Sequence, residues 1–134
     1  MKKRIWVIVL LIVLLPGCVK PAEEKSDADK PSSYYQISQD EAKKMMERDD
    51  GHVIVDVRRE DEYVSGHIPG AILIPNETIG KKQPAELPDK DQIILVYCRS
   101  GNRSKQAAQK LFELGYTNVF DFGGIMTWTG EIEY

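Results

Sequence analysis

The sequence predicts an α/β domain built on a parallel sheet, and three observations carry that prediction. Short apolar runs alternate along the chain with segments of helical periodicity, the pattern of strands joined by helical crossovers. One run, Val53-Ile54-Val55, is apolar without alternation, as expected of a parallel strand covered on both faces, and the partly β-branched run from Ile93 to Tyr97 reads as a second buried strand. Polar residues gather where these runs stop, at Asp56 to Arg58 and again from Cys98. In open α/β sheets the carboxyl ends of the strands are where sites are built.

The chain begins with a segment that does not belong to this fold. Lys2, Lys3 and Arg4 precede an uninterrupted apolar run from Ile5 to Leu15, too short to span a bilayer comfortably, so residues 1–17 read as a signal peptide. The run ends in Leu15-Pro16-Gly17-Cys18, which resembles the lipobox of bacterial lipoproteins, with leucine three before the cysteine and a small residue just before it. That resemblance implies acylation of Cys18 and attachment to the outer face of a membrane in the cell envelope, or to its periplasmic side. Residues 18–33, with two prolines, several charges and no aromatic residue, read as a disordered tether. The folded domain is expected over residues 34–134, as a monomer.

Within it, Tyr34 to Ile37 is expected as a short edge strand. Ser38-Gln39-Asp40-Glu41 is a capping box opening a helix to about Arg48, with Ala42, Met45 and Met46 inward and Asp49-Asp50-Gly51 as its stop. His52 to Val57 is the second strand, Arg59 to Ser65 a short helix, and Gly66 to Ala71 a tight turn into a third strand at Ile72 to Ile74. A long irregular stretch from Asn76 to Asp91 holds a helical turn near Glu77 to Gly80. After the strand that ends at Cys98, the apolar positions Ala107, Ala108, Leu111, Phe112 and Leu114 follow helical spacing from Ser104, and Gly115 stops that helix. Val119 to Phe122 is the last strand, and Gly123-Gly124 leads to a short helix through Trp128.

The chemistry is concentrated in Cys98-Arg99-Ser100-Gly101-Asn102-Arg103-Ser104. A loop whose amides curl toward one point, beside a helix N-terminus and two arginines, is an anion-binding nest that favours an ionised sulfur nucleophile. If Cys18 carries lipid, Cys98 is the only thiol remaining and no disulfide can form between the two. Net charge is −3, falling to about −6 without the three N-terminal basic residues, and there is no basic stripe, which argues against nucleic acid as a partner. The sequence carries no P-loop lysine motif, dinucleotide fingerprint or metal-spaced His/Cys set.

Asp56-Val57-Arg58, Glu62-Tyr63, Gly66-His67-Ile68-Pro69-Gly70-Ala71, Tyr97 to Ser104, and Gly123-Gly124 with Trp128 together resemble a single-domain rhodanese of the sulfurtransferase family, over roughly Tyr34 to Trp128. The resemblance implies a five-stranded parallel sheet flanked by helices on both faces. It also implies a ping-pong reaction without metal or organic cofactor: Cys98 takes the sulfane sulfur of an anionic donor such as thiosulfate or a persulfide, then passes it to a thiol or cyanide. Arg99, Ser100, Gly101, Asn102, Arg103 and Ser104 would bind the anionic donor, with Ser100, Gly101 and Asn102 acting through their backbone and Arg103, at the opening of the helix, bracing the loop by hydrogen bonds while adding positive charge. Asp56 and Arg58 would either pair with each other or brace the loop. His67 would tune the sulfur or be satisfied within its turn, and Arg99 would point into the pocket or toward solvent and acceptor.

Two other readings stand beside this one. A persulfide-carrying or partner-binding module of the same fold would have little turnover, and an intact Cys98 with both arginines counts against a dead domain. Phosphatases and arsenate reductases of the fold are disfavoured because only four residues separate Cys98 from Arg103, one fewer than in the related phosphatases. A resolving cysteine is also absent if Cys18 is lipidated.

Overall fold

A computed structural model describes Gly17 and residues 30–134. The signal-peptide reading apart from Gly17, the lipidation of Cys18 and the tether as far as residue 29 lie outside the described residues. Among the described residues no helix is long and apolar enough to cross a membrane.

Five strands, β1 (Tyr35–Gln36), β2 (Val53–Asp56), β3 (Ile72–Leu73), β4 (Ile94–Cys98) and β5 (Val119–Gly124), form one sheet in the order β1-β5-β4-β2-β3. Every pairing is parallel, as the strand-helix alternation predicts. The helices are α1 (Gln39–Met46), α2 (Glu60–Val64) and α3 (Asn102–Glu113), with short 3₁₀ turns at Asn76–Thr78 and Ile125–Thr127.

β4 lies at the centre, and all five of its residues are buried. Its side chains divide between two cores, because successive residues of a strand point to opposite faces. Ile94, Val96 and Cys98 join Val55, Val57, Ala107, Ala108 and Leu111 under α3. Leu95 and Tyr97 face the other way, with Ile54, Ala42, Met45 and Phe122 under α1. Each fully buried aliphatic side chain contributes about 1.5–3 kcal/mol, so a strand buried on both sides is anchored strongly enough to hold its carboxyl end in one place.

The helix α1 starts as its sequence dictates: the Ser38 hydroxyl accepts the amide of Glu41 at 3.1 Å. The start of α3 differs from expectation. It begins at Asn102, two residues before the periodic pattern, because Gly101 at φ +107° turns the chain in the left-handed region and stands as the N-cap. Arg103 therefore lies inside the first turn of the helix, at the end the sequence reading assigned it. A second unanticipated feature is the C-terminal strap, where Glu133 forms an isolated antiparallel bridge with His67 through two backbone hydrogen bonds of 2.8 Å.

Candidate active site

Cys98 closes β4 and is 1% exposed. The chain then leaves the sheet through Arg99 and Ser100, both exposed, and turns back at Gly101 so that the Gly101 amide donates to Cys98 Sγ at 3.0 Å. Neighbouring elements fix this curl. The Ser104 hydroxyl, fully buried, donates to the Gly101 carbonyl at 3.0 Å and approaches the Gly123 carbonyl at 3.4 Å. The Met126 amide donates to the Arg99 carbonyl at 3.1 Å. Gly124 lies against the loop backbone so closely that a Cβ there would collide with the Arg99 carbonyl.

The sequence-predicted residues thus fall into two sets. Cys98, Arg99, Ser100, Gly101 and Asn102 form the loop and the helix start around the sulfur. The Ser104 and Arg103 side chains both make hydrogen bonds within the protein. The Ser104 hydroxyl points inward to two carbonyls and braces the loop. Arg103 makes a two-pronged pair with Glu62 of α2, Nη1 to Oε2 at 2.7 Å and Nη2 to Oε1 at 2.9 Å. Sequence reasoning gave Glu62 no role, since the contact spans 41 residues and follows no local periodicity.

Glu62 has a further partner, the Arg59 amide, which donates to Oε2 at 3.0 Å at the start of α2. The Arg103 hydrogen bonds, opposed by burial and helped by the Arg59 amide, hold its carboxyl down to about 2 from the ordinary 4.5. A depressed folded-state value means that the ion pair's stability is present in full above about pH 4.5 and is lost as pH falls through about 2. We expect Glu62→Gln to be less stable than the wild type by about 1–2 kcal/mol at neutral pH, and the gap to close between these two limits. Urea unfolding at a series of pH values checks this, and a gap independent of pH would contradict it.

Asp56 and Arg58 pair with each other. Arg58 Nη2 lies 2.7 Å from Asp56 Oδ2, and Nε reaches both carboxylate oxygens at 3.0 and 3.1 Å. Asp56 is fully buried, and it also accepts the Arg58 amide at 2.9 Å and the Tyr97 hydroxyl at 2.7 Å. Tyr97 in turn accepts the Ile68 amide at 3.0 Å, and Arg58 donates to the Gly66 carbonyl at 2.7 Å. Burial, and then the charge of Asp56, pushes the Tyr97 hydroxyl well above its usual range, so it stays a donor. This network ties the residue before Cys98 to the end of β2 and to the Gly66 turn.

His67 is satisfied away from the loop. Its ring stacks on Tyr63 with centroids 3.8 Å apart, Nδ1 donates to the Tyr63 carbonyl at 2.9 Å, and Nε2 lies 3.3 Å from Glu133 Oε2. Trp128 is half-buried against the core under α1. Among the described residues no group of three or more His, Cys, Asp or Glu could hold a metal ion.

Residues 38–131 match the rhodanese-like domain family. Thiosulfate sulfurtransferase PspE from Escherichia coli (strain K12) is 39% identical over 71 residues, covering 53% of this chain and 68% of that protein. Thiosulfate sulfurtransferase GlpE from Coxiella burnetii is 38% identical over 96 residues, covering 71% of this chain and 87% of the relative. Some relatives are longer, and this chain spans 57% and 22% of two of them. The structure of a rhodanese with anions from E. coli superposes with a TM-score of 0.57 at 34% identity, covering 61% of this chain and 96% of that one. The sheet order, the Cys98 loop and these matches together place the chain in the rhodanese-like domain family, to which it belongs and in which both curated relatives just named are sulfurtransferases.

Proposed function

We propose that this protein is a sulfurtransferase that carries a sulfane sulfur on Cys98. The observation that carries the reading is the buried Cys98 Sγ accepting the Gly101 amide at the foot of a loop closed by the start of α3. An amide aimed at that point accommodates negative charge on the sulfur, and on a persulfide built from it. In the first half-reaction the Cys98 sulfur attacks the outer sulfur of thiosulfate, an S–S bond forms as the S–SO₃ bond breaks, and sulfite leaves with the electron pair. In the second, a thiol or cyanide attacks the persulfide's terminal sulfur and Cys98 is released as thiolate.

Steady-state kinetics test this. Varying thiosulfate at several fixed cyanide concentrations should give parallel double-reciprocal lines, the mark of a first product released before the second substrate reacts with a covalent intermediate. Intersecting lines would mean transfer within a ternary complex and would count against the persulfide. A carrier with little turnover is a weaker reading, because the nucleophile and its loop are intact.

We further propose export and lipid attachment through Cys18, a reading that rests on the basic residues 2–4, the apolar run and the cysteine after Gly17. Replacing Cys18 by alanine should move the protein from the membrane fraction to the soluble fraction. A variant that remains membrane-bound would contradict the anchor.

A further inference from the structure

The charges tied to the Cys98 loop are paired almost completely. Arg58 is matched by Asp56, exposed Arg59 by Asp61 at 3.1 Å, and Arg103 by Glu62 through both terminal nitrogens. Arg103 stands in the first turn of α3, two residues beyond the Gly101 amide that contacts the Cys98 sulfur. Arg99 is exposed and forms no side-chain hydrogen bond or ion pair among the described residues. Three arginines thus cancel three carboxylates, and exposed Arg99 is the remaining arginine of the loop. Beyond Arg99, a donor entering this cradle meets backbone amides and the start of α3 and no arginine left without a carboxylate.

We propose that Glu62 is a specificity-determining residue: by neutralising Arg103 it matches the cradle to a monoanionic sulfane-sulfur donor in preference to dianionic thiosulfate. The inference rests on the sulfur-transfer reading of the same site and concerns only which donor is favoured. Methanethiosulfonate, CH₃–SO₂–S⁻, is the matched probe, since a methyl group replaces one charged oxygen of thiosulfate and little else changes. The Cys98 thiolate attacks its terminal sulfur, an S–S bond forms as the S–SO₂ bond breaks, and methanesulfinate leaves with the electron pair. Total charge is unchanged, and the same Cys98 persulfide anion remains with either donor.

The readout is the ratio of kcat/KM for thiosulfate to that for methanethiosulfonate, with cyanide as acceptor and the full chain as enzyme. Glu62→Gln leaves the Arg103 charge uncompensated and should raise the ratio about 5- to 20-fold at low salt, the size expected for one unit charge acting a few ångströms away in a partly screened site. Arg103→Gln leaves the Glu62 carboxylate uncompensated and should lower the ratio by a similar factor. The double variant should return to within about twofold of the wild type, because the two substitutions remove one pair and couple strongly. A purely structural role would reduce both donors in parallel and leave the ratio unmoved. Ratios within about twofold of wild type in both single variants, with turnover retained, would overturn the inference and leave sulfur transfer standing. No turnover of either donor by the wild type would overturn the sulfur-transfer reading and this inference with it.

Discussion

Replacing Cys98 by serine is expected to reduce sulfur transfer by about 10⁴-fold or more, to the solution background, with stability within about 1 kcal/mol of the wild type. The two effects separate because the roles of the sulfur separate. In the fold, Cys98 is a small buried group at the end of β4 that accepts one amide, and a hydroxyl can accept the same Gly101 hydrogen. In the reaction, the group must be an easily ionised nucleophile that forms and releases a bond to sulfur. A serine hydroxyl lacks both properties, and among the described residues no base forms a hydrogen bond with this position to activate it. A folded serine variant with more than about a tenth of wild-type turnover would show that the reaction runs elsewhere.

The largest stability effect is expected at Arg58. Changing Arg58 to leucine removes the guanidinium from a carboxylate that is fully buried, leaving Asp56 with only the position-58 amide and the Tyr97 hydroxyl as donors. Breaking a buried ion pair from one side costs about 3–5 kcal/mol, mostly the penalty of an uncompensated charge. The Gly66 carbonyl loses its donor as well. Adding Asp56→Asn should recover part of the loss, since no charge is then stranded, so the double variant should be more stable than Arg58→Leu alone. Urea unfolding at neutral pH reads both quantities. A single variant within about 1 kcal/mol of wild type would mean that the pair contributes nothing net. Because Tyr97 precedes Cys98, the destabilised variant should also lose activity while still folded at low temperature.

The parallel sheet, the burial of β4 and the position of Cys98 at its end were legible in the sequence. Each follows from a local pattern: an unalternating apolar run, an abrupt polar stop and a helical period afterwards. The Ser38 cap was legible for the same reason. What was not legible is what depends on long-range approach. Glu62 reaches Arg103 across 41 residues, Glu133 returns to His67 across most of the domain, and Gly124 abuts the Arg99 carbonyl. None of these contacts has a period. The start of α3, two residues before its apolar period, has a related cause. Asn102 and Arg103 are exposed or half-buried and carry no apolar signal, so the helix start was set by the backbone turn at Gly101 alone. Tyr97 was read as one more apolar residue of the strand, yet its hydroxyl joins Asp56 to the Ile68 amide. The signal in that case was available: a lone phenol in an aliphatic run needs a buried partner, and Asp56 sits at the end of the paired strand.

The central claim is that Cys98 carries the transferred sulfur, and intact-mass analysis of the full chain before and after exposure to thiosulfate tests it most directly. The account predicts a gain of one sulfur, about 32 Da, which cyanide removes and which the Cys98→Ser protein never acquires. An unchanged mass in a protein that nonetheless turns thiosulfate over, or the same gain in the serine variant, would contradict it.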